Sequence, residues 1–123
     1  MKVSEAVFEY LKSEIVPHIA GDSEMTAAIL SGMLRASRKR IADKISQNEL
    51  IRNSGLLDAN GCADPEMVKE FAAGMFEGRE KISVSLAELV KMVTGLESSS
   101  PLLQGKISFT SADADKFIAL LNQ

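Results

Sequence analysis

Several residue types with reactive or specialised side chains are scarce in this chain of 123 residues, which has one histidine, one cysteine, one tyrosine and no tryptophan. A single cysteine cannot form an internal disulfide, which excludes the disulfide-bonded class of small secreted domains. No run approaches the ~20 apolar residues of a membrane span. The opening Met1-Lys2-Val3-Ser4-Glu5 carries charges where a signal peptide would be apolar. The sequence therefore predicts a soluble, cytoplasmic protein with no membrane partner.

Neither sign of charge dominates the chain. The 14 basic and 17 acidic side chains leave a net charge of −3, which excludes a disordered polyelectrolyte and a histone-like protein with a basic surface. With 46% apolar residues, the chain is long enough for one domain and short for two. We expect a single domain over 1–123, with a helical part at 1–55 and a helix plus two strand–helix units at 56–123.

The N-terminal part has the apolar spacing of helices. Val7, Leu11 and Ile15 recur every four residues, which predicts an amphipathic helix over 4–16. Pro17 is expected to end it, because proline lacks the N–H that continues a helix.

A second helix is predicted from Glu24 to about Ile45. Its first half, Met25–Ala36, carries apolar and small residues all round the helix, so we expect that half to be buried. Its second half, the basic helix Arg35–Lys44, keeps a single apolar stripe and is expected to be half exposed.

Turn and cap signals divide the middle of the chain. The spacing of Ser46-Gln47-Asn48-Glu49 is that of a capping box and predicts a short helix that stops at Gly55. Asn60-Gly61 predicts a tight turn, because both residues tolerate a positive φ. Asp64-Pro65 pairs a capping oxygen with proline at the first helical position, which predicts a helix ending near Gly78.

Two similar segments lie 25 residues apart near the C-terminus. Lys81-Ile82-Ser83-Val84-Ser85 matches Lys106-Ile107-Ser108-Phe109-Thr110, and each alternates apolar and polar residues like a strand with one buried face. A capping pattern and an apolar helix follow each segment. Either a true duplication or a recurrent strand–cap–helix unit explains the match, and the strands could pair parallel or antiparallel.

These patterns predict an α+β fold, a mostly helical single domain with a small two-stranded sheet near the C-terminus. The predicted core contains Val7, Leu11, Leu30, Leu34, Ile41, Phe71, Met75, Ile82, Val84, Ile107, Phe109, Phe117 and Leu121.

No catalytic or metal motif is present. Cys62 as a nucleophile would need a base, but the only histidine, His18, lies at a predicted helix end, with no motif around either residue. The segment Asp58–Asp64 faintly resembles a calcium loop, yet Leu56 and Met67 would occupy its first and last ligand positions. The sequence therefore predicts neither an enzyme nor a metal or cofactor site.

A ridge of small residues marks the second helix. Ala28, Gly32 and Ala36 recur every four residues, which lets another helix backbone approach closely. The all-round apolarity of this segment favours an internal partner helix. A symmetric homo-oligomer, or an unknown protein partner, is the alternative.

The cations Arg35, Arg38, Lys39 and Arg40 could contact phosphates. Asp43 interrupts the run, no aromatic residue is interleaved for base stacking, and the chain is acidic overall. A solvated helix face is the favoured interpretation, and a nucleic-acid-associated accessory protein is the alternative function.

Turn, cap and strand signals over roughly residues 50–123 carry a family resemblance. They are Leu56–Gly61, the helix Asp64–Gly78, the strand at Lys81, and the strand Gly105–Thr110 leading to Asp113–Phe117. This set resembles small uncharacterised proteins encoded in bacterial phages and prophages. Those relatives join the two strands by a tight hairpin, whereas about twenty residues intervene here. The resemblance implies no catalytic residues and favours a small non-catalytic interaction or assembly module of phage or prophage type.

Overall fold

The computed structural model describes all residues 1–123 and confirms a mostly helical α+β domain with a two-stranded sheet near the C-terminus. The helices, in chain order, are α1 (Val3–Tyr10), α2 (Val16–Ala20), α3 (Glu24–Ala36), α4 (Arg38–Gln47), α5 (Glu49–Ser54), α6 (Pro65–Phe76), α7 (Leu86–Thr94) and α8 (Ser111–Leu121). The strands are β1 (Lys81–Ser85) and β2 (Lys106–Thr110), with a π-helical turn at Leu11–Ile15 and a 3₁₀ turn at Pro101–Leu103.

The first helix does not end at Pro17, so that prediction is wrong. A π-helical turn follows α1 directly, and the N–H of Val16 donates to the carbonyl of Leu11, five residues back. This wider turn lets the chain pass a proline, because Pro17 then lies in the first turn of α2, where no N–H is needed. α2 ends instead before Gly21, whose φ is +56°.

The segment predicted as one long helix is two helices, because the chain bends at Ser37 between α3 and α4. Ser37 is buried, and its hydroxyl donates to the Met33 carbonyl at 2.8 Å. The prediction that Met25–Ala36 is buried is wrong, since Leu34 is the only buried residue of α3. α3 packs against α2 and α7 along one side, and its opposite side is left uncovered.

Two helices in the middle of the chain begin at side-chain caps, and only one of these caps is the residue that the sequence predicted. Asp64 caps α6 as predicted, its Oδ1 accepting from the Glu66 N–H at 2.9 Å. The cap of α5 is Asn48 rather than Ser46, with Asn48 Oδ1 accepting from the Ile51 N–H at 3.1 Å. α4 continues through Gln47, so Ser46 lies inside its last turn, where its hydroxyl donates to a carbonyl of the same helix.

The two strands pair antiparallel, which settles the orientation that the sequence left open. Ile82 pairs with Phe109 and Val84 with Ile107, so the apolar residues of both strands share one face. The predicted caps that follow the strands are confirmed. The Ser85 hydroxyl accepts from the Glu88 N–H, and Thr110 forms a capping box at the start of α8.

The core is divided into two clusters of buried residues, one on each side of α1. The first contains Phe8, Leu11, Ile15, Val16, Leu34 and Ile41, and the second contains Val3, Ala6, Leu56, Val68 and Leu121. Partly buried Val7 and Ile45 pack against both clusters.

Of the predicted core residues, Leu11, Leu34, Ile41 and Leu121 are buried. The other predicted core residues are half-buried, except Met75, which is 52% exposed and was wrongly assigned to the core. Met75 lies in the last turns of α6, beyond the part that packs on the second cluster through Val68.

Candidate functional site

The small-residue ridge of α3 lies on the outside of the molecule. Ala28 and Ala36 are exposed and Gly32 is half-buried. A Cβ atom added to Gly32 would come no nearer than 4.0 Å to another atom, the Arg35 Nη2. The expectation that an internal helix packs on Ala28, Gly32 and Ala36 is therefore wrong, because Ala28 and Ala36 are exposed and the space beside Gly32 is open.

Large apolar side chains lie beside the ridge. Met25 is 75% exposed and Ile29 is 57% exposed. The α3 surface, as we define it, consists of the exposed side of that helix formed by Met25, Ala28, Ile29, Gly32 and Ala36. It is an apolar strip along a helix of thirteen residues, which is about 20 Å long at 1.5 Å per residue.

Opposite charges lie along one flank of the α3 surface, near its two ends. Glu24 begins the helix and Arg35 lies in its last turn. They are eleven residues apart, about three helical turns, so both lie on the same flank. Neither forms an ion pair within the chain. The strip is therefore acidic at one end and basic at the other.

Two of the four cations predicted for nucleic-acid contact bind other parts of the chain. The Arg38 guanidinium lies 4.1 Å from the ring centroid of Phe8 and 3.8 Å from the Glu5 carboxylate. Arg40 donates from Nε to the Met92 carbonyl at 3.2 Å.

The remaining two cations are free of such contacts. Arg35 and Lys39 are exposed and form no ion pair within the chain. The structure therefore does not gather the four side chains into one unpaired basic patch.

The lone cysteine and the lone histidine lie at opposite ends of the first helical segment. Cys62 pairs through its backbone with Lys2, while His18 is exposed in α2. Sixteen residues separate Lys2 from His18, a distance of about 24 Å along a helix. Nor does the chain bring three histidine, cysteine, aspartate or glutamate side chains together in a group that could hold a metal.

Asp58, considered above as part of a calcium loop, stabilises a turn. Its Oδ1 accepts from the N–H groups of Asn60 at 2.8 Å and Cys62 at 3.0 Å. This carboxylate oxygen is thus engaged by the backbone of its own loop.

No sequence pattern predicted the largest apolar cavity, which has a volume of about 400 Å³. It lies between α1, α6, the sheet and α8, and 16 of its 18 lining residues are hydrophobic. Its surface is almost wholly apolar, and three of its lining residues, Tyr10, Thr110 and Asp113, bind one another through their polar atoms. The Tyr10 hydroxyl donates to Asp113 Oδ1 at 3.2 Å. Asp113 Oδ2 accepts from the Thr110 N–H at 2.8 Å and from its hydroxyl at 3.2 Å.

These contacts affect the ionisation of Tyr10 and Asp113. The hydrogen bond from the Thr110 N–H is the main cause that lowers the pKa of Asp113, with the Tyr10 hydroxyl adding to it against the opposing effect of burial. Burial is the main cause that raises the pKa of Tyr10, and the negative charge of Asp113 adds to it. Near neutral pH a charged carboxylate and a neutral phenol therefore lie side by side.

The capping pattern in the sequence identified the contact between Thr110 and Asp113. It could not identify Tyr10, which is 103 residues away from Asp113. The only available signal was that the single tyrosine lies one residue before Leu11, on the apolar side of the first helix.

Comparison with protein-family models, curated proteins and solved structures returned no match to this chain. None of its helices combines the length and apolarity that crossing a membrane requires.

Proposed function

We propose that the protein is a small non-catalytic assembly module that forms a homodimer through the α3 surface. The observation that carries this proposal is the exposure of Met25 and Ile29 beside a ridge of small residues. Large apolar side chains on a ridge without bulk allow close helix packing, and their burial against a partner removes apolar area from water. The proposal retains a cytoplasmic location and a phage or prophage origin as predictions.

A second copy of the chain is the partner that the charges of α3 favour. In an antiparallel pair centred between Ala28 and Gly32, each Ala28 lies against Gly32 of the second copy. Because same-side flanks face each other in antiparallel helices, Glu24 of one copy then lies near Arg35 of the other. The two-fold symmetry repeats this contact, giving two opposite-charge pairs for each dimer.

The size of the surface sets the expected strength of the dimer. Two helices about 20 Å long cover less than the ~1,600 Å² of a standard protein interface. We therefore expect a concentration-dependent dimer with a Kd on the order of 10⁻⁶ to 10⁻⁴ M.

The first test is sedimentation velocity over a wide concentration range on wild type and Ile29→Lys. Ile29 is already 57% exposed, so the change should leave the monomer folded. In the dimer each copy contributes one lysine, so the change places two charges in the centre of the interface. We therefore expect Kd to rise at least about tenfold.

Leu50→Lys is the matched control, because Leu50 is 70% exposed on α5, away from the α3 surface. It should dimerise like wild type.

Gly32→Leu supplies a second test. The space around Gly32 is open and leucine favours helix over glycine, so this variant should melt higher as a monomer while losing the dimer. A wild-type monomer at every concentration, or equal loss in Leu50→Lys, would refute the proposal.

A nucleic-acid-associated role remains the alternative. The internal contacts of Arg38 and Arg40 leave fewer cations for phosphates than the sequence suggested. The two roles differ in salt dependence, because phosphate contacts weaken steeply with salt. Fluorescence titration of a labelled duplex at low salt, with Arg35→Glu and Lys39→Glu variants, measures this directly, and binding lost in both variants would favour the alternative.

A further inference from the structure

We propose that the β1 edge, the side of strand β1 that faces away from β2, pairs with β1 of a second copy around a two-fold axis at Ser83. The sheet has only two strands, and a sheet of this size gains stability when further strands extend it. β1 and α3 are separate elements, so this pairing is a self-association contact distinct from the α3 surface.

The direction of each backbone group of β1 follows from one hydrogen bond. The Leu86 N–H donates to the Gly105 carbonyl at 3.2 Å, one step beyond the last residue pair of the ladder. Hydrogen-bonded and non-hydrogen-bonded pairs alternate along an antiparallel ladder. The even-numbered residues of β1 therefore bond to β2, and the odd-numbered ones, Lys81, Ser83 and Ser85, direct their N–H and C=O groups away from it. No loop or side chain bonds to the backbone of Lys81 or Ser83.

The other edge of the sheet, along β2, is already occupied by the chain itself. The Thr110 N–H, which points outward from β2, donates to Asp113 Oδ2 at 2.8 Å. Farther along the same strand, Ser108 lines a small pocket together with Glu14 and His18 of the first helical segment. The edge that stays open to a partner strand is that of β1.

The chain itself shows how β1 pairs with a strand of similar sequence. β2 repeats the first three of the five residues of β1, Lys-Ile-Ser, at an offset of 25 residues. In the β1–β2 ladder the equivalent residues Ser83 and Ser108 lie opposite each other, with their hydroxyl oxygens 3.2 Å apart. A ladder centred on equivalent residues is close to two-fold symmetric. A second β1 can therefore take the free edge in the same register, with Ser83 opposite Ser83.

This register suits the side chains as well as the backbone. Ser83 of each copy exchanges hydrogen bonds with Ser83 of the other, and Lys81 exchanges them with Ser85. Each Lys81 then lies opposite a serine, about 14 Å from the other lysine, a distance at which salt screens their repulsion. Ile82 lies opposite Val84 on the apolar face, where both are only half-buried, so pairing covers apolar area of both copies.

The contact is small, which sets its expected strength. Five residues from each chain cover far less than the ~1,600 Å² of a standard interface. We expect a Kd on the order of 10⁻⁴ to 10⁻³ M. A chain that has both the β1 edge and the α3 surface forms assemblies larger than a dimer. That growth rests on the proposed α3 dimer, whereas the pairing of β1 does not.

The first experiment traps the pair with a disulfide in chains that carry Cys62→Ser. Ser83→Cys places two thiols at the axis, with Cα atoms about 5.5 Å apart, within disulfide reach. Ser108→Cys is the matched control. Ser108 is exposed on the same face of the sheet, but it lies about 14 Å from its equivalent across the four strands. Under mild oxidation we expect the linked dimer to form at least about tenfold faster in Ser83→Cys.

Adding Ile29→Lys to both variants separates the two interfaces. The disulfide should still form in Ser83→Cys with Ile29→Lys, because the β1 edge is intact. Sedimentation velocity of the oxidised proteins should show growth beyond the linked dimer only where Ile29 is retained. A linked dimer that never grows would count against the α3 dimer and leave the β1 pairing in place.

The second experiment needs no change in the sheet. Amide hydrogen exchange of Ile29→Lys, followed by NMR from about 0.05 to 1 mM protein, should slow about two- to fivefold at Ser83 as the concentration rises. The amides of Ile82 and Val84, which already bond to β2, should show no such dependence.

Three results would overturn the proposal. Equally fast disulfide formation in Ser83→Cys and Ser108→Cys would show random encounter instead of a fixed register. Exchange at Ser83 that does not depend on concentration would show that no second copy pairs there. A Ser83 amide already protected at the lowest concentration would show that another segment of the same chain covers the edge.

Discussion

Tyr10 and Asp113 are joined by one hydrogen bond across 103 residues of chain, and each affects the pH at which the other ionises. The pKa of Tyr10 is raised, chiefly by burial, so folding favours the neutral phenol. That contribution is present below the ordinary tyrosine pKa of about 10 and is lost as pH rises through the folded value. The pKa of Asp113 is lowered, so its contribution is present above about pH 4 and is lost as pH falls.

We predict that Tyr10→Phe abolishes the alkaline loss of stability. The wild type should lose free energy of unfolding above about pH 10, because its unfolded state binds fewer protons there than its folded state. Urea denaturation at a series of alkaline pH values measures this, and at neutral pH the variant should lose about 1 kcal/mol with the hydrogen bond. Since Tyr10 is the only tyrosine, phenolate absorbance reports it alone. A folded-state titration at about pH 10 would contradict the prediction.

At the scale of elements, local sequence signals were most reliable for the residues at which short helices begin and end. Asp64 before α6 and Gly55 after α5 both function as predicted. Pro17 was misinterpreted, because the π-helical turn before it allows the helical path to continue. The cap of α5 was misplaced by two residues, since the end of α4 at Gln47 decides which side chain is free to cap.

We predict that Asn48→Ala weakens α5 while Ser46→Ala does not. Asn48 holds the Ile51 N–H, and loss of such a cap costs about 1 kcal/mol. α5 has no buried residue, so the loss should appear as local fraying. Amide hydrogen exchange over residues 51–54 should speed up about fivefold. Equal acceleration in Ser46→Ala would show that the capping box inferred from the sequence is the functional one.

At the scale of the whole molecule, burial is limited. Fifteen of the 123 residues are buried, fourteen of them apolar, and eleven of these form two clusters on either side of α1. The α3 surface and the cavity are two of the places where apolar residues remain uncovered. The α3 surface is expected to gain stability when a second copy covers it.

We predict that the dimer depends on the paired charges of α3. Glu24→Lys and Arg35→Glu should each weaken it up to about tenfold, because each change places two like-charge contacts in the dimer. The double variant Glu24→Lys/Arg35→Glu should recover most of the affinity, and the effect should shrink in high salt. Sedimentation velocity measures all three variants.

Glu70→Lys is the control for net charge, because Glu70 is exposed on α6 and the substitution changes the charge as Glu24→Lys does. It should leave the dimer intact. Failure of the double variant to recover would argue against the antiparallel arrangement.

The sequence by itself determined the fold class, both strands, the helix that follows each strand, and most caps. These features depend on periodicity and on side chains that bond to nearby backbone, as Thr110 does with Asp113. The sequence identified the α3 residues as a ridge of small side chains. It did not show on which side of the molecule that ridge lies.

Only the tertiary structure decided strand orientation, the exposure of α3 and the contact of Tyr10 with Asp113. The same apolar residue is buried or exposed according to whether another element covers it, as Leu34 and Ile29 show on one helix. Coverage is set by packing between distant segments. The cavity has the same origin, because it lies where α1, α6, the sheet and α8 meet without filling the space between them.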